Sequence, residues 1–323
     1  MKLFALNSSL PFGSKVADAL GVELSAHEER EFEDGEHKAR PLVGVRGEDV
    51  YVVQSLNGDA EFSANDKLCR LLFFLGAVRD AGAARVTAVT PYLAYARKDR
   101  RTKPRDPLTT RYMAQLFEAM GIDAIVTLDT HNIVAFQNGF RCQTVHLDSR
   151  RLFCEHLLKS GLNGPVVVAS PDPGGVKRAQ LFREMLEKLS GQPVGSALME
   201  KRRSAGVVSG DLLVGDVAGA DVLVVDDMIA SGGTMVRAAQ ACRENGAASV
   251  QAIAAHGLFV GDADTALTDE RIARTYVTDT IPPFRLKTDT AKDRLTVVSA
   301  APLFAEAIRR LHENGSINDL LEG

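Results

Sequence analysis

Residues 45–53 read VRGEDVYVV, and residues 217–225 read VAGADVLVV. Gly47, Asp49, Val50, Val52 and Val53 return as Gly219, Asp221, Val222, Val224 and Val225, 172 positions later. Farther along, RDAGAARVTAV at 79–89 returns as RENGAASVQAI at 243–253, now 164 positions later. Both halves run in one order: Gly turn, short Val-rich strand, loop, helix, Gly-Ala turn, second Val-rich strand. Two matches in the same order at nearly the same spacing indicate a duplicated domain. The change of offset gives the first half eight more residues, placed between strand and helix near 57–64.

Working outward, the runs 50–53, 86–89, 125–128, 166–169, 222–225 and 250–254 are short, apolar and β-branched. Strands covered on both faces read this way. Between them, 66–81, 109–120, 176–189 and 234–245 have helical periodicity, and Gly82, Gly121 and Gly246 close three of these stretches as helix C-termini often do. Strand–helix alternation predicts an α/β fold: two tandem domains, each a mainly parallel sheet flanked by helices, with right-handed crossovers. A chain of 323 residues suits two domains of ~150 residues each. The boundary is placed near Asp148, giving domains 1–147 and 148–323, with the last helix a candidate to pack back on the first. In such sheets ligands bind at the carboxyl ends of the strands.

Composition narrows the function classes. The chain is 45% hydrophobic and 25% charged, which excludes extensive disorder. Lys plus Arg is 38 against 42 for Asp plus Glu, a net charge of −4, so no general field attracts nucleic acid or anionic membrane. Any polyanion must meet a local basic site. The longest apolar run, LLFFLGAV at 71–78, falls far short of the ~20 residues of a membrane span. The start, MKLFALNSSLPFGSK, holds no signal-peptide core, and the four cysteines form no CxxC pair. A cytoplasmic location is expected, with neither nucleic acid nor membrane as partner.

The strongest chemical signal is VLVVDDMIASGGTMVRAAQACREN at 222–245. Asp226 and Asp227 follow a strand, and Ala230, Ser231, Gly232, Gly233 and Thr234 lead into a helix. Small residues let backbone N–H groups approach an anion, two hydroxyls add donors, and a helix N-terminus favours negative charge. The carboxylates would repel phosphate but accept hydrogen bonds from vicinal hydroxyls. Pair and cradle together describe a ribose 5-phosphate site; the plainer alternative is a capped helix after an acidic turn.

DDMIASGGT resembles the ribose-phosphate loop of type I phosphoribosyltransferases and of ribose-phosphate pyrophosphokinases, whose common pattern has an acidic residue in place of Ala230. Other segments favour the second family. EFEDGEHKAR at 31–40 resembles its adenine-ribose segment, implying nucleotide contacts from Phe32, Asp34, Gly35 and Glu36. TPYLAYARKDRR at 90–101 resembles its PYxxYxRQDR motif, with Lys98 for Gln. It opens a run of six cations between Arg97 and Arg105. Arg97, Lys98 and Asp99 are then expected at an ATP triphosphate, where Arg offers a planar fork. LDTHNIVAF and SPDPGG place His131 and Asp172 where the family has metal-associated residues, implying Mg²⁺, a hard cation suited to carboxylate and phosphate oxygen.

LMEKRRSAGVVSG at 198–210 resembles the family's KRR loop, expected as a mobile loop after a strand, with Lys201 and Arg203 as catalytic cations. The resemblance extends from Phe4 to near Leu320. It implies two type I phosphoribosyltransferase-like domains and transfer of the diphosphoryl group of ATP to the 1-hydroxyl of ribose 5-phosphate. The products would be 5-phosphoribosyl 1-diphosphate and AMP. It also implies a homo-oligomer, often a hexamer built from dimers. Two alternatives stand beside it: a phosphoribosyltransferase using the same loop, and a non-catalytic regulatory homologue.

Overall fold

In a computed structural model the described residues are 1–162, 164–204, 207–318 and 320; the side chains of 201–211, Lys201 and Arg203 among them, lie outside the described residues. The chain forms two compact units, Met1–Asp148 with Ala300–Glu322, and Ser149–Ser299.

The first unit runs β1 (Lys2–Ala5), α1 (Leu10–Leu20), β2 (His27–Glu31), β3 (His37–Pro41), β4 (Asp49–Val53), α2 (Ala64–Asp80) and β5 (Arg85–Thr90). It continues with α3 (Thr109–Ala119), β6 (Ala124–Leu128), α4 (Ile133–Gly139) and β7 (Gln143–Leu147). Strands β1-β4-β5-β6-β7 form one fully parallel sheet. Its strands are buried because Val50, Val52, Val86, Ile125 and Val126 are covered on both faces. Strands β2 and β3 form a separate antiparallel hairpin. It lies against α2, where the His37 ring stacks on Phe73 at 5.5 Å.

The second unit runs α5 (Arg150–Ser160), β8 (Val166–Ser170), α6 (Val176–Ser190), β9 (Val194–Ser204), β10 (Val207–Val214), β11 (Asp221–Ile229), α7 (Gly233–Glu244) and β12 (Ser249–Gly257). It closes with α8 (Ala263–Leu267), β13 (Arg274–Thr278), α9 (Asp289–Asp293) and β14 (Leu295–Val298). The sheet order is β10-β9-β8-β11-β12-β13-β14, parallel except for β10 on the edge. Its faces bury two apolar layers, one centred on Val222, Val224 and Met235, the other on Leu223, Val225 and Phe182.

The final helix, α10 (Ala301–His312), belongs to the first unit; the sequence division placed it within 148–323 and named it a candidate to pack back on the first domain. Its apolar stripe explains this, because Phe304 meets Phe12 of α1 edge-on at 5.4 Å.

The duplication is visible in matching backbone bonds. Gly47 N–H donates to the Gly82 carbonyl at 2.8 Å, and Gly219 N–H donates to Gly246 at 2.8 Å. Ala84 donates to Glu48 at 2.9 Å as Ala248 does to Ala220 at 2.9 Å. All four glycines have positive φ, which an L side chain rarely adopts. The eight extra residues of the first half are not all in the loop. Helix α2 has 17 residues against 12 in α7 and the connection before it ten against three, while β11 is four residues longer than β4.

Candidate active site

Strand β11 reaches Ile229, four residues beyond the sequence expectation, because its partner β12 also continues. Asp226 pairs in register with Ala254 and Met228 with His256, whereas pairing with β8 stops at Val224. Asp226 and Asp227 therefore lie on the strand, past the point where one neighbour has ended. Asp227 is 3% exposed, and the Asp226 side chain 20%. Arg178 on α6 bridges them: Nη1 donates to Asp226 Oδ1 at 3.1 Å and lies 3.5 Å from Asp227 Oδ1. Burial and the neighbouring Asp227 carboxylate push Asp226 up to about 7, while the Arg178 guanidinium opposes the shift.

The loop that follows turns into α7 at Gly232, the N-cap, with φ of 81°. A Cβ there would collide with the Ala266 methyl, so both backbone and space require glycine. At Gly233 a Cβ would approach only the ends of Arg237 and Ser231, at 3.9 Å. No side chain caps α7, and its leading N–H groups have no intrahelical acceptor. Ser231 and Thr234 flank that end. The arrangement suits a small dianion carried by a polyol.

The matching position in the first unit is closed. Gln54 and Ser55 stand where the second unit has Asp226 and Asp227. Both are buried and turned inward: Gln54 Nε2 donates to Ser8 Oγ at 2.7 Å, and Ser55 N–H to Ser9 Oγ at 2.8 Å. Helix α2 begins with a capping box in which Asp66 N–H donates to Ser63 Oγ and Ser63 N–H to Asp66 Oδ2. A carboxylate thus occupies the helix end that α7 leaves open.

The carboxyl ends of β5 and β6 carry the other predicted residues of this unit. Arg97 is exposed, and Asp99 Oδ2 accepts from Asn132 Nδ2 at 2.6 Å. Asn132 is also the N-cap of α4, accepting from Val134 and Ala135 N–H. The structure thereby brings Asp99 beside the segment holding His131. Lys98 Nζ donates to Asp106 Oδ2 at 2.5 Å. Tyr95, Arg105 and Asp129 in these loops adopt positive φ, a conformation found where surrounding structure enforces it. Phe32, Asp34, Gly35 and Glu36 form the tip of the β2–β3 hairpin. Phe32 is 44% exposed there, and Asp34 Oδ1 accepts from Glu36 N–H.

The first 121 residues match the model of the N-terminal domain of ribose phosphate pyrophosphokinase, and 209–322 match that of the phosphoribosyl synthetase-associated domain. A ribose-phosphate pyrophosphokinase of Caldanaerobacter subterraneus is 38% identical across 99% of this chain and 97% of its own. The chain belongs to the ribose-phosphate pyrophosphokinase family. A Hyphomonas neptunium relative of the same name is 36% identical over the whole of both chains. The crystal structure of a phosphoribosylpyrophosphate synthetase from Mycobacterium smegmatis superimposes with a TM-score of 0.86 at 33% identity, covering 97% of this chain and 99% of that one.

Two features deserve comparison with the family resemblance. Lys201 and Arg203 lie on β9, opposite Asp211 and Val208 of β10, and not in a loop after the strand. Val207, Val208, Leu212, Leu213 and Val214 favour strand pairing over the expected mobile loop. The side chains of Lys201 and Arg203 lie outside the described residues. Asp172 is the N-cap of the Pro173–Gly175 turn, its Oδ1 accepting from Gly175 N–H at 3.0 Å. One such bond leaves a carboxylate with further lone pairs for a cation.

Among the described residues no three His, Cys, Asp or Glu side chains gather as metal ligands. Such a cage is not what Mg²⁺ in phosphoryl-transfer sites generally needs, since it is held there by one or two carboxylates plus substrate phosphates. A single hard carboxylate such as Asp172 fits that donor set. His131 and Asp172 belong to different units. Among the described residues, no helix is long and apolar enough to cross a membrane.

Arg178, Asn132 and Asp106 lie in or beside the motifs read from the sequence, which gave them no role. Arg178 stands six residues after Asp172, at the start of a helix leading away from a strand end, which was a usable signal. Asp106 falls one position beyond the cationic run.

Proposed function

We infer that the chain is a ribose-phosphate diphosphokinase, an ATP-dependent transferase. It moves the β,γ-diphosphoryl group of ATP to the 1-hydroxyl of ribose 5-phosphate, releasing 5-phosphoribosyl 1-diphosphate and AMP. The observation that carries this is the open N-terminus of α7 beside Asp226 and Asp227, present in one unit and closed by Ser63 and Asp66 in the other. A family member with one such cradle has one sugar-phosphate site and a second unit available for nucleotide.

In the proposed arrangement the 5-phosphate sits on the leading N–H groups of α7, with Ser231 and Thr234 donating hydroxyls and Gly232 and Gly233 permitting close approach. Asp226 and Asp227 accept from the ribose hydroxyls, held in place by Arg178. Ala230, at a position usually acidic in the family, contributes only backbone. Phe32, Asp34, Gly35 and Glu36 take the adenosine; Arg97, Lys98 and Asp99 organise the triphosphate side. Mg²⁺ would be held by Asp172 and would supply charge neutralisation on the triphosphate; His131 is assigned to metal or phosphate contact. Lys201 and Arg203 face the charge that develops on the departing and bridging oxygens. Orientation of the 1-hydroxyl against the β-phosphorus supplies the rest of the rate. A dimer-based homo-oligomer and a cytoplasmic location complete the proposal.

Lys201→Ala tests the chemical assignment. Turnover should fall by about two orders of magnitude or more while ribose 5-phosphate binding persists. Turnover equal to that of the unaltered chain contradicts it.

A further inference from the structure

The segment from Pro91 to Leu108, between β5 and α3, is a connection of unusual length for a compact α/β unit. It carries Arg97, Lys98 and Asp99, and it is gathered around one side chain. Asp106 Oδ2 accepts from Lys98 Nζ at 2.5 Å, Thr102 Oγ1 at 2.8 Å, Thr102 N–H at 3.0 Å and Lys103 N–H at 2.9 Å. The Asp106 main chain adds two bonds: its carbonyl accepts from Arg101 Nε at 3.2 Å, and its N–H donates to Lys103 at 3.2 Å. Lys98 also donates to Thr102 Oγ1 at 3.0 Å. From the other side, the hydroxyls of Thr109 and Thr110 on α3 hold the Tyr95 and Lys98 carbonyls at 3.3–3.4 Å. Arg105, just before the latch, is kept at φ of 67°.

We propose that Asp106 is a positioning residue for nucleotide binding, and that Lys98 acts as its counter-charge and not as a direct ligand of the triphosphate. The cationic loop is thereby ordered before ATP arrives, with Lys98 withdrawn into the latch and Arg97 and Arg100 presented. Arg100 reaches no closer than 4.0 Å to Asp99, and its side chain is 81% exposed. Ordering eighteen residues on binding would cost affinity, so an ordered loop raises it. Asp106 also offsets part of the self-repulsion of the cationic run. This inference rests on the proposed assignment of Arg97 and its loop to the ATP site, with Lys98 reassigned from ligand to counter-charge.

The two roles for Lys98 predict opposite signs. If Lys98 is withdrawn by the latch, Asp106→Ala loosens the loop and weakens ATP. If Lys98 is a direct phosphate ligand, the same change frees a cation and strengthens ATP. Nucleotide binding is measured by calorimetry without sugar phosphate, alongside KM for both substrates. Expected for Asp106→Ala are an ATP Kd and KM raised about tenfold and a ribose 5-phosphate KM within about twofold of the unaltered chain. Asp106→Glu, whose longer arm still reaches Lys98, should restore most of the affinity, which a general folding defect would not show. Combining Lys98→Gln with Asp106→Ala should be no worse than Asp106→Ala alone, because the two side chains act as one unit. Tighter or unchanged ATP binding in Asp106→Ala overturns the proposal. Failure of the unaltered chain to bind ATP would instead overturn the site assignment beneath it.

Discussion

Arg178 donates to Asp226 across 3.1 Å, joining the start of α6 to the acidic pair on β11. The same guanidinium lies 3.5 Å from Asp227, so one cation fixes two carboxylates that would otherwise repel each other in a buried place. In the proposed site this bridge would make the two acidic residues a defined acceptor for ribose hydroxyls. Arg178→Gln should raise KM for ribose 5-phosphate about tenfold, as expected for loss of a charge-assisted hydrogen bond. KM for ATP serves as the internal comparison and should move far less.

The same bridge sets a pH dependence. In the proposed site ribose hydroxyls would bind the ionised form of Asp226, whose pKa is pushed up to about 7, so sugar affinity should climb as pH rises through that value. In Arg178→Gln the opposing charge is lost, and the climb should move to higher pH. The sugar phosphate's own ionisation, near ~6, is common to both proteins and cancels in the comparison. Coincident pH profiles for the two proteins would contradict this.

Stability carries the mirror image. A carboxyl whose pKa rises on folding holds its proton more tightly when folded. Its favourable contribution is therefore present below the unfolded value, near ~4, and is lost as pH rises through about 7. Asp226→Asn removes this dependence. The denaturant midpoint of the unaltered chain should fall more between pH 4 and about 8 than that of Asp226→Asn.

Gly232 offers a test of the cradle itself. At φ of 81°, with the Ala266 methyl in the path of any Cβ, Gly232→Ala meets both backbone strain and overlap. A loss of about 1–3 kcal/mol in unfolding free energy is expected, together with a raised KM for ribose 5-phosphate. The corresponding Gly21→Ala after α1 meets only the strain, since no atom lies within 4 Å of its Cβ position. It should leave both substrate constants unchanged.

Much of the architecture was legible in residues 45–53 and 217–225, because buried parallel strands write themselves as β-branched runs. The Gly turns were legible for a related reason: Gly47, Gly82, Gly219 and Gly246 occupy backbone conformations few other residues accept. Less legible was anything decided by tertiary partners. The extension of β11 to Ile229 depends on β12 continuing beside it, and DDMI alone has no strand pattern. Placement of α10 with the first unit, offered by the sequence only as a candidate, depends on Phe12 lying near Phe304, a contact between residues almost a chain length apart. Arg178, Asn132 and Asp106 were given no role because each acts by holding another residue, a relation that residue spacing does not display. The cationic run read as six free charges; folding neutralises Lys98 from one position outside the run.

The attachment of α10 gives a further expectation. Asp49 Oδ1 accepts from Arg85 Nε at 2.8 Å, and Oδ2 accepts from the Tyr51 hydroxyl at 3.0 Å and is hydrogen bonded to His312 Nδ1 at 2.8 Å. Arg85 Nη2 in turn donates to the Leu311 carbonyl at 2.7 Å. Asp49→Ala leaves Arg85 and Tyr51 without their shared partner and should cost roughly 2–4 kcal/mol. Amide exchange should accelerate first in 301–312, before the strands of the same unit.

The central claim concerns which phosphorus is attacked. ATP labelled at the β-phosphorus, incubated with ribose 5-phosphate and Mg²⁺, should yield unlabelled AMP in step with label appearing in the diphosphate of the sugar product. Label retained in ADP, or AMP released at the same rate without ribose 5-phosphate, would contradict the account.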